Sequence, residues 1–451
     1  MSEKVAKNIS EAVRKSVIYQ IFLRAFTPEG TLPAAEKLLP HLAGLGVDIL
    51  YLCPIVLADD DPDINHWSER QRGSGMNNPR SPYRLKDYFE IDPEYGTAED
   101  LKRFVTAAHE LGMRVMLDLV YYHCGPKANI IDLDPEFVVR DENGNVVDGL
   151  WHFPKLNFDS MKLREYLWSN MEYFVREFDV DGYRTDAEEL IPLDFWVEGR
   201  RRLEAIKPDI VLLAESTRPE CQIAAYDMNY GWGELAEALK GLYLKKDVTP
   251  SALSGAWKKD AGKQPKGSRH LRATSNHDIA NDFERSEKIL GPKGFETWQL
   301  FNFVLDGIPF LYNGEEIADS ARHCIFSNRD YGKHCIDWSN AVMSTGIDRM
   351  DFVSTLVELR HTQDALTNGE VIWPEQPEDN VIALLRKSDM QEILVVINPS
   401  DKCITATVKT DCARVTKPDA LLLRDCDYTL KDGTLRADLL PYGFAVIELK
   451  G

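Results

Sequence analysis

Strand-like and helix-like segments alternate over most of this chain, and that alternation restricts its fold more than any other feature. Short apolar runs that end in turns are followed by segments with apolar residues three and four apart. The predicted strands lie at residues 17–22, 47–53, 114–120, 180–184, 210–214, 271–275 and 308–312. The predicted helices lie at residues 33–45, 97–111, 162–178, 192–206, 279–290, 295–305 and 352–366. This order is close to eight βα units and predicts an α/β fold, a parallel (β/α)8 TIM barrel.

Two stretches depart from the alternation. After about residue 370 the chain has short strands at residues 381–385, 393–397, 404–408, 420–423, 428–435 and 444–449, with a hairpin turn at Asp432-Gly433. About 40 residues separate the third strand from the helix at residue 162, whereas most βα loops have roughly two to six. We therefore predict a barrel at residues 1–123 and 161–368, a short insertion after strand 3 at residues 124–160, and a C-terminal antiparallel β-sandwich domain at residues 369–451.

The charge balance argues against several classes of partner. The chain has 451 residues, and its 53 Lys and Arg against 73 Asp and Glu give a net charge of −20. Nucleic acids and anionic membranes are bound by clustered basic side chains, so we expect neither as a partner. Apolar runs stay short of the roughly 18 to 20 residues of a membrane span, and the first residues lack the apolar segment of a signal peptide. We expect a cytoplasmic protein whose eight cysteines, without any CxxC pair, are reduced; its oligomeric state is left open.

Polar side chains occur at the ends of four predicted strands. They are Asp118 and His123 at the third strand, Arg184 and Asp186 at the fourth, Glu215 at the fifth, and Asn276, His277 and Asp278 at the next predicted one. Burying a carboxylate is costly unless it is paired, so any one of them could be a structural cap or ion pair. Because the carboxyl ends of barrel strands converge on one mouth, the four together predict a functional site.

Three carboxylates and an arginine at one mouth suit retaining glycoside hydrolysis. This reaction needs a nucleophilic carboxylate and a proton donor about 5 to 5.5 Å apart. Arg184 is two residues before Asp186 on the same strand, so it points to the same side and can keep that carboxylate ionised. Glu215 follows an apolar run, which favours the raised pKa that a general acid requires.

Five segments are similar, in the same order, to the motifs of the α-amylase superfamily, family thirteen of the glycoside hydrolases. They are residues 118–123 (DLVYYH), 153–157 (FPKLN), 182–187 (GYRTDA), 213–215 (LAE) and 276–278 (NHD), with a further family-like segment at residues 307–315. The resemblance extends over the whole chain. It implies the same barrel, with the insertion at residues 124–160 as a short version of the family's domain B.

The resemblance also implies a role for individual residues. Asp186 would be the nucleophile, Glu215 the acid and base, and Asp278 the stabiliser of the transition state. Residues expected to bind substrate are His123, Arg184, His277, Tyr83 as the aromatic platform, and Asp87 at the rim. From its place in the insertion beside His152, we add Trp151, whose indole would stack on a sugar or, equally well, pin its loop to the barrel.

Two metal-binding features of the family are missing. Tyr122 stands where relatives with a structural calcium carry asparagine, and tyrosine is a poor ligand for a hard cation. The loop at residues 24–30 lacks the Asp-x-Asn-x-Asp run of other relatives. The acidic cluster of Asp59, Asp60, Asp61 and Asp63 would be a cation site or a solvated loop. We predict no cofactor and no bound metal.

The sequence carries partial information about the substrate. Glu189 and Leu190 replace the Lys-His pair with which relatives bind long glucans, and Ala187 resembles relatives that cut α-1,4 bonds. Arg70 and Arg72 would suit either a phosphorylated sugar or a salt-bridged loop.

These features together predict a retaining glycosidase that cleaves α-glucosidic bonds, favouring α-1,4, in short α-glucans or oligosaccharides through a glycosyl-Asp186 intermediate. The same intermediate would serve an α-glucan, sucrose or trehalose-type transglycosidase, an isomerase or a phosphorylase, because the outcome depends on which acceptor reaches it. A catalytically silent sugar-binding or chaperone homologue is the remaining alternative, although such proteins typically lack part of the carboxylate trio.

Overall fold

A computed structural model describes residues 4–376, 378–410 and 417–450 of the protein. Its strands are β1 Ile18–Ile21, β2 Ile49–Leu52, β3 Arg114–Leu119, β4 Gly182–Thr185, β5 Val211–Ala214, β6 Met228–Tyr230, β7 His270–Ala273, β8 Ile308–Tyr312, β9 Glu370–Ile372, β10 Ile382–Lys387, β11 Glu392–Ile397, β12 Ile404–Lys409, β13 Lys417–Lys431 and β14 Thr434–Lys450. Its α-helices are α1 Glu11–Lys15, α2 Leu23–Phe26, α3 Leu32–Glu36, α4 Leu39–Gly44, α5 Glu69–Gly73, α6 Ala98–Glu110, α7 Ile130–Leu133, α8 Met161–Phe178, α9 Leu193–Glu204, α10 Pro219–Ala224, α11 Glu234–Lys240, α12 Ala252–Ala261, α13 His277–Asp282, α14 Ser286–Val304, α15 Ser344–Thr362 and α16 Asp364–Asn368.

Strands β1 to β8 pair in parallel, in sequence order, and close into a barrel where β1 meets β8. The strands carry apolar side chains on both faces, because helices cover the outside of the barrel and the side chains inside it pack against one another. The predicted (β/α)8 barrel is thus confirmed. Strand β6 was not predicted, because its three residues Met228–Tyr230 make too short an apolar run to give a strand signal.

Proline and capping residues explain where several helices begin. Thr97 and Asp100 form the capping box at the start of α6, as the sequence predicts. The helix predicted at residues 33–45 is instead two short helices, α3 and α4. Pro40 lacks a backbone N–H and is tolerated in the first turn of a helix, so it lies at the second position of α4 and does not continue the preceding helix.

Two long segments cover the carboxyl end of the barrel. The first, residues 53–97, runs from β2 to α6 and contains α5. The second runs from β3 to α8 and holds α7 and isolated antiparallel bridges, including Val138 with Leu156 and Arg140 with Val146. A bridge between His123 and Lys155 ties this second segment to the barrel rim. The boundaries 124–160, 161–368 and 369–451 stay predictions.

The C-terminal strands form the predicted antiparallel β domain, as one sheet in the order β12-β14-β11-β10-β9 with β13 paired to β14. The first half of β14 pairs with β12 and its second half with β11. The inner residues of both halves share one apolar cluster, so the sheet curls over itself. The short strands predicted at residues 420–423, 428–435 and 444–449 are parts of the long strands β13 and β14. The prediction divided them because register shifts after Ala420 and Arg424 interrupt the alternation of side chains between the two faces of the sheet.

Among the described residues, none of the helices combines the length and the apolar character that a membrane crossing requires. The seven cysteines in the described ranges have free thiols. Cys412 lies outside those ranges.

Candidate active site

Backbone pairing of the barrel fixes the positions of two carboxylates at its mouth. The amide of Asp186 donates to the carbonyl of Leu119 at 2.9 Å, and the amide of Glu215 donates to the carbonyl of Thr185 at 3.1 Å. Both residues therefore extend the ladders of β4 and β5 by one step. Ala187 then adopts a left-handed conformation, with φ 46°, and turns the chain away from the barrel. The backbone of both carboxylate residues is therefore positioned by the barrel strands.

Arg184 lies beneath the mouth and joins three carboxylates. Its Nη1 donates to Asp118 Oδ1 at 2.8 Å and to Asp186 Oδ1 at 2.9 Å, and its Nη2 is 2.6 Å from Glu215 Oε1. The Arg184 side chain is completely buried. Its charge compensates the carboxylates, whose burial without a cation would be very unfavourable.

The pKa values of these carboxyl groups follow from burial and from their shared cation. Burial raises the pKa of Glu215 to about 8, against the opposing charge of Arg184. Burial also raises the pKa of Asp186, while the Arg184 ion pair and a hydrogen bond with Glu215 work in the other direction. At neutral pH, Glu215 is therefore suited to hold a proton that it can donate.

A second group of polar side chains surrounds Asp278. His277 is fixed by Gln20, whose Nε2 donates to the ring Nδ1 at 2.8 Å and whose Oε1 accepts from the His277 amide at 3.1 Å. Burial lowers the pKa of His277, which favours the neutral ring. Its Nε2 lies 2.6 Å from the Tyr83 hydroxyl, and that hydroxyl donates to Asp118 Oδ2 at 2.9 Å. The two rings are stacked, with centroids 5.2 Å apart.

The Asp278 carboxylate stays ionised in this environment. His277 and Arg70 oppose the effect of burial, and the pKa of Asp278 is lowered. Asp278 Oδ2 is 3.2 Å from His277 Nε2, and its Oδ1 accepts from Arg70 Nη1 at 2.7 Å. The site thus combines a raised carboxyl pKa at Glu215 with a lowered one at Asp278, the separation expected for groups with different chemical roles.

An aromatic wall stands on the side of the second long segment. His123 Nε2 lies 2.7 Å from the backbone carbonyl of Tyr83, and burial lowers the pKa of His123 to about 4. Trp151 packs against His123 edge to face, with ring centroids 5.4 Å apart, and remains 46% exposed. The exposed indole has a free surface on which an apolar sugar face can stack.

These groups open into one cleft of about 390 Å³. Of the residues predicted from the sequence, the structure brings seven to its lining: Tyr83, His123, Trp151, Asp186, Glu215, His277 and Asp278. Arg184 lies below the lining, where it contacts the carboxylates.

Asp87 does not line the cleft. Its Oδ1 accepts from the amides of Phe89 and Glu90, and its Oδ2 accepts from the Asn129 side chain. Asp87 therefore stabilises a turn and joins two loops. The sequence-based placement of Asp87 at the rim of the substrate site is corrected accordingly.

Other residues of the site were not predicted from the sequence. Gln20 was detectable as a polar residue inside an apolar strand. Ser68, Ile325 and Phe326 also line the cleft, but they come from irregular loops that give no periodic signal. Trp232, two residues after the end of β6, lines the cleft too.

The acidic cluster after β2 is solvated only in part, because Asp60 and Asp63 are exposed and the other two carboxylates are not. Asp59 and Asp61 are buried, and the Asp61 carboxylate binds His66 at 2.6 Å and Lys127 at 2.9 Å. Within residues 4–376, 378–410 and 417–450 there is no group of three or more His, Cys, Asp or Glu side chains arranged to hold a metal ion. The described carboxylates of this cluster bind cationic side chains and backbone amides instead. The expectation of no bound metal stays a prediction.

Comparisons with known proteins show which sequences and folds are similar to this chain. Residues 14–134 match the α-amylase catalytic domain family. A cyclomaltodextrinase from Geobacillus thermopakistaniensis is 29% identical over 438 residues, which cover 91% of this chain and 69% of the relative. An intracellular maltogenic amylase from Bacillus subtilis is 25% identical over 441 residues, covering 85% and 68%.

The fold comparison covers the barrel and the C-terminal domain together. The crystal structure of a noncanonic maltogenic α-amylase from Thermotoga neapolitana superimposes with a TM-score of 0.82 at 25% identity, covering 98% of this chain and all of that one. The motif order, the carboxylates at the barrel mouth and these similarities lead to one conclusion. The chain is similar to glycosidases of the α-amylase family, whose catalytic domain matches residues 14–134.

Proposed function

We propose that this protein is a retaining α-glycosidase that cleaves α-1,4 bonds in short α-glucans, with Asp186 as nucleophile and Glu215 as acid and base. The observation that carries the proposal is the shared guanidinium of Arg184, which binds Asp186 at 2.9 Å and Glu215 at 2.6 Å. The two carboxyl groups are also within hydrogen-bonding reach of each other. Inverting enzymes hold theirs about 6.5 to 9.5 Å apart to admit a water, so this close pair supports retention.

The reaction follows from these positions. An oxygen of Asp186 attacks the anomeric carbon while the proton of Glu215 passes to the glycosidic oxygen, so the bond to the leaving sugar breaks and a glycosyl ester forms. The Glu215 carboxylate then takes a proton from water, whose oxygen attacks the anomeric carbon and releases Asp186. The ionised Asp278 stabilises the positive charge that develops on the sugar in both steps.

The substrate and the location are part of the same proposal. The similar proteins are named for action on cyclomaltodextrins or for maltogenic activity, which supports an α-glucan. A cleft of about 390 Å³ is at the small end of the roughly 300 to 1,000 Å³ of ligand pockets, which favours a short one. The intracellular Bacillus subtilis relative supports a place in the cytoplasm.

Product analysis tests the proposal. The purified protein is incubated with maltotriose, isomaltose, sucrose, trehalose, starch and a cyclodextrin, each with and without phosphate, and the products are separated by chromatography. We expect rapid hydrolysis of maltotriose, with the α-anomer released first in proton NMR spectra. A β-anomer would overturn retention, whereas sugar phosphates, isomers or longer products would favour the transferase and phosphorylase alternatives. No product from any sugar would favour the silent homologue.

A further inference from the structure

Arg70 enters the cleft from a part of the chain far from the carboxylates. It lies on α5, in the segment between β2 and α6, and it lines the cleft with Asp186 and Glu215. Its Nη1 donates to Asp278 Oδ1 at 2.7 Å, its Nε donates to Asp282 Oδ1 at 2.6 Å, and its Nη2 donates to the other oxygen of Asp282. Arg70, Asp278 and Asp282 form what we call the cleft bridge.

The loop that carries Arg70 is firmly attached to its surroundings. Gln71, the next residue, is 1% exposed and donates to the carbonyl of Asn78 at 2.8 Å. The Asn78 side chain donates to the carbonyl of Phe326 at 2.9 Å, in the segment after β8. Trp67 donates to the carbonyl of Asp61 at 2.9 Å. These contacts hold α5 in place, so the cleft bridge is a fixed part of the cleft wall.

The barrel order shows which end of the cleft the bridge occupies. Arg70 follows β2 and Asp278 follows β7, so the bridge passes over the rim at β8 and β1. Glu215 follows β5, which lies across the barrel from β1. Because Glu215 donates its proton to the leaving sugar, that sugar lies on the β5 side. The bridge therefore stands at the opposite end, beyond the sugar that is transferred to Asp186.

We infer that the cleft bridge closes this end and makes Arg70 a specificity-determining residue that selects the non-reducing ends of glucan chains. The inference rests on the proposed function. The guanidinium supplies N–H donors and the Asp278 carboxylate supplies acceptors for the hydroxyl groups of a terminal sugar. A phosphate group fits less well, because two carboxylates already neutralise the charge of Arg70.

The experiment compares two forms of one linear substrate. Maltopentaose is used with a free non-reducing end and with that end blocked by a 4,6-O-ethylidene group, and total substrate loss is followed by chromatography. The blocked end must lie beyond the transferred sugar, where the bridge stands. We expect kcat/KM of the wild type to be at least ~100-fold lower for the blocked form, and Arg70→Ala to reduce this difference to ~10-fold or less.

Two further variants make the test specific. Arg72→Ala changes an exposed arginine on the same helix and should keep the wild-type ratio. Asp282→Ala removes one leg of the bridge and leaves Asp278 in place, so its ratio should lie between those of the wild type and Arg70→Ala. The ratio is used because loss of Arg70 also deprives Asp278 of a partner and lowers turnover of both substrates.

The outcomes separate the two proposals. Equal cleavage of both forms by the wild type would refute the inference that the cleft is closed at this end. It would still be consistent with the proposed retaining α-glycosidase. An unchanged ratio in Arg70→Ala would assign the closure to other residues and overturn the role of Arg70. No loss of either form would overturn the proposed function itself, and with it the inference that rests on it.

Discussion

The cleft has two halves that are built differently. The strand-end half consists of Arg184, Asp186 and Glu215, whose side chains are 0%, 12% and 13% exposed. The loop half consists of Arg70, Asp278 and Trp151; the side chains of Arg70 and Asp278 are 35% and 27% exposed, and Trp151 is 46% exposed. Barrel hydrogen bonds position the first half, whereas mainly side-chain and loop contacts position the second. The comparison assigns nucleophilic attack and proton transfer to the strand-end half and substrate selection to Arg70 and Trp151 of the loop half, in which Asp278 also stabilises the transition state.

Replacing Asp186 tests the strand-end half most severely. Asp186→Ala removes the proposed nucleophile, so kcat should fall by about 10⁴-fold or more. The measurement is the steady-state hydrolysis of maltotriose. Glu189→Ala, at an exposed position three residues away, should keep near-normal activity and serves as the matched control. Comparable activity of both variants would refute the assignment of Asp186.

The pH profile tests the division of labour within the strand-end half. Glu215 must be protonated to act as an acid, so kcat/KM should fall as pH rises through about 8. Asp186 must be ionised, so the acidic limb should lie above the ordinary pKa of an aspartate, because burial raises its pKa. Glu215→Gln should lower kcat by about 10²- to 10⁴-fold and abolish the alkaline limb. An alkaline limb that persists in Glu215→Gln would assign it to another group.

Tyr83 joins the two halves, so its loss should have an intermediate effect. Its hydroxyl lies 2.9 Å from Asp118 and 2.6 Å from His277. Tyr83→Phe keeps the ring stacked on His277 but removes both contacts, and a buried hydrogen bond of this kind is worth ~1 to 3 kcal/mol. We expect kcat/KM to decrease by about 10-fold or more. An unchanged value, with an unchanged melting temperature, would remove Tyr83 from the active site.

Trp151 tests the loop half and should give the smallest effect. Trp151→Ala removes an exposed stacking surface, worth ~0.5 to 1.5 kcal/mol, and should raise KM by about 2- to 10-fold. The value of kcat should change little, because the indole does not touch Asp186 or Glu215 in the described contacts. Trp151→Phe should recover most of the affinity. A large loss of kcat would show that the two halves are not separable.

The sequence predicted much of the strand-end half because its residues interrupt regular patterns. Asp118 stands inside an apolar strand, and Arg184, Asp186 and Glu215 follow such strands directly. Alternation and strand direction are enough to bring these residues to one mouth. Apart from Asp278, the loop half gave weaker signals. Asp87 was placed in the site but caps a turn, and Phe326 was not predicted, because irregular loops have no period from which a direction can be read.

The sequence by itself determined the order of strands and helices and the residues at the strand ends, since both follow from local periodicity and from chain direction. Tertiary structure alone decided which distant groups meet. Arg70 and Asp278 are 208 residues apart in the chain, but their side chains are 2.7 Å apart in space. A local sequence pattern cannot predict a contact between residues so far apart in the chain. The raised pKa of Glu215 likewise depends on how deeply the folded barrel and its loops bury the carboxyl group, because desolvation is a property of the packed surroundings and not of the neighbouring residues in sequence.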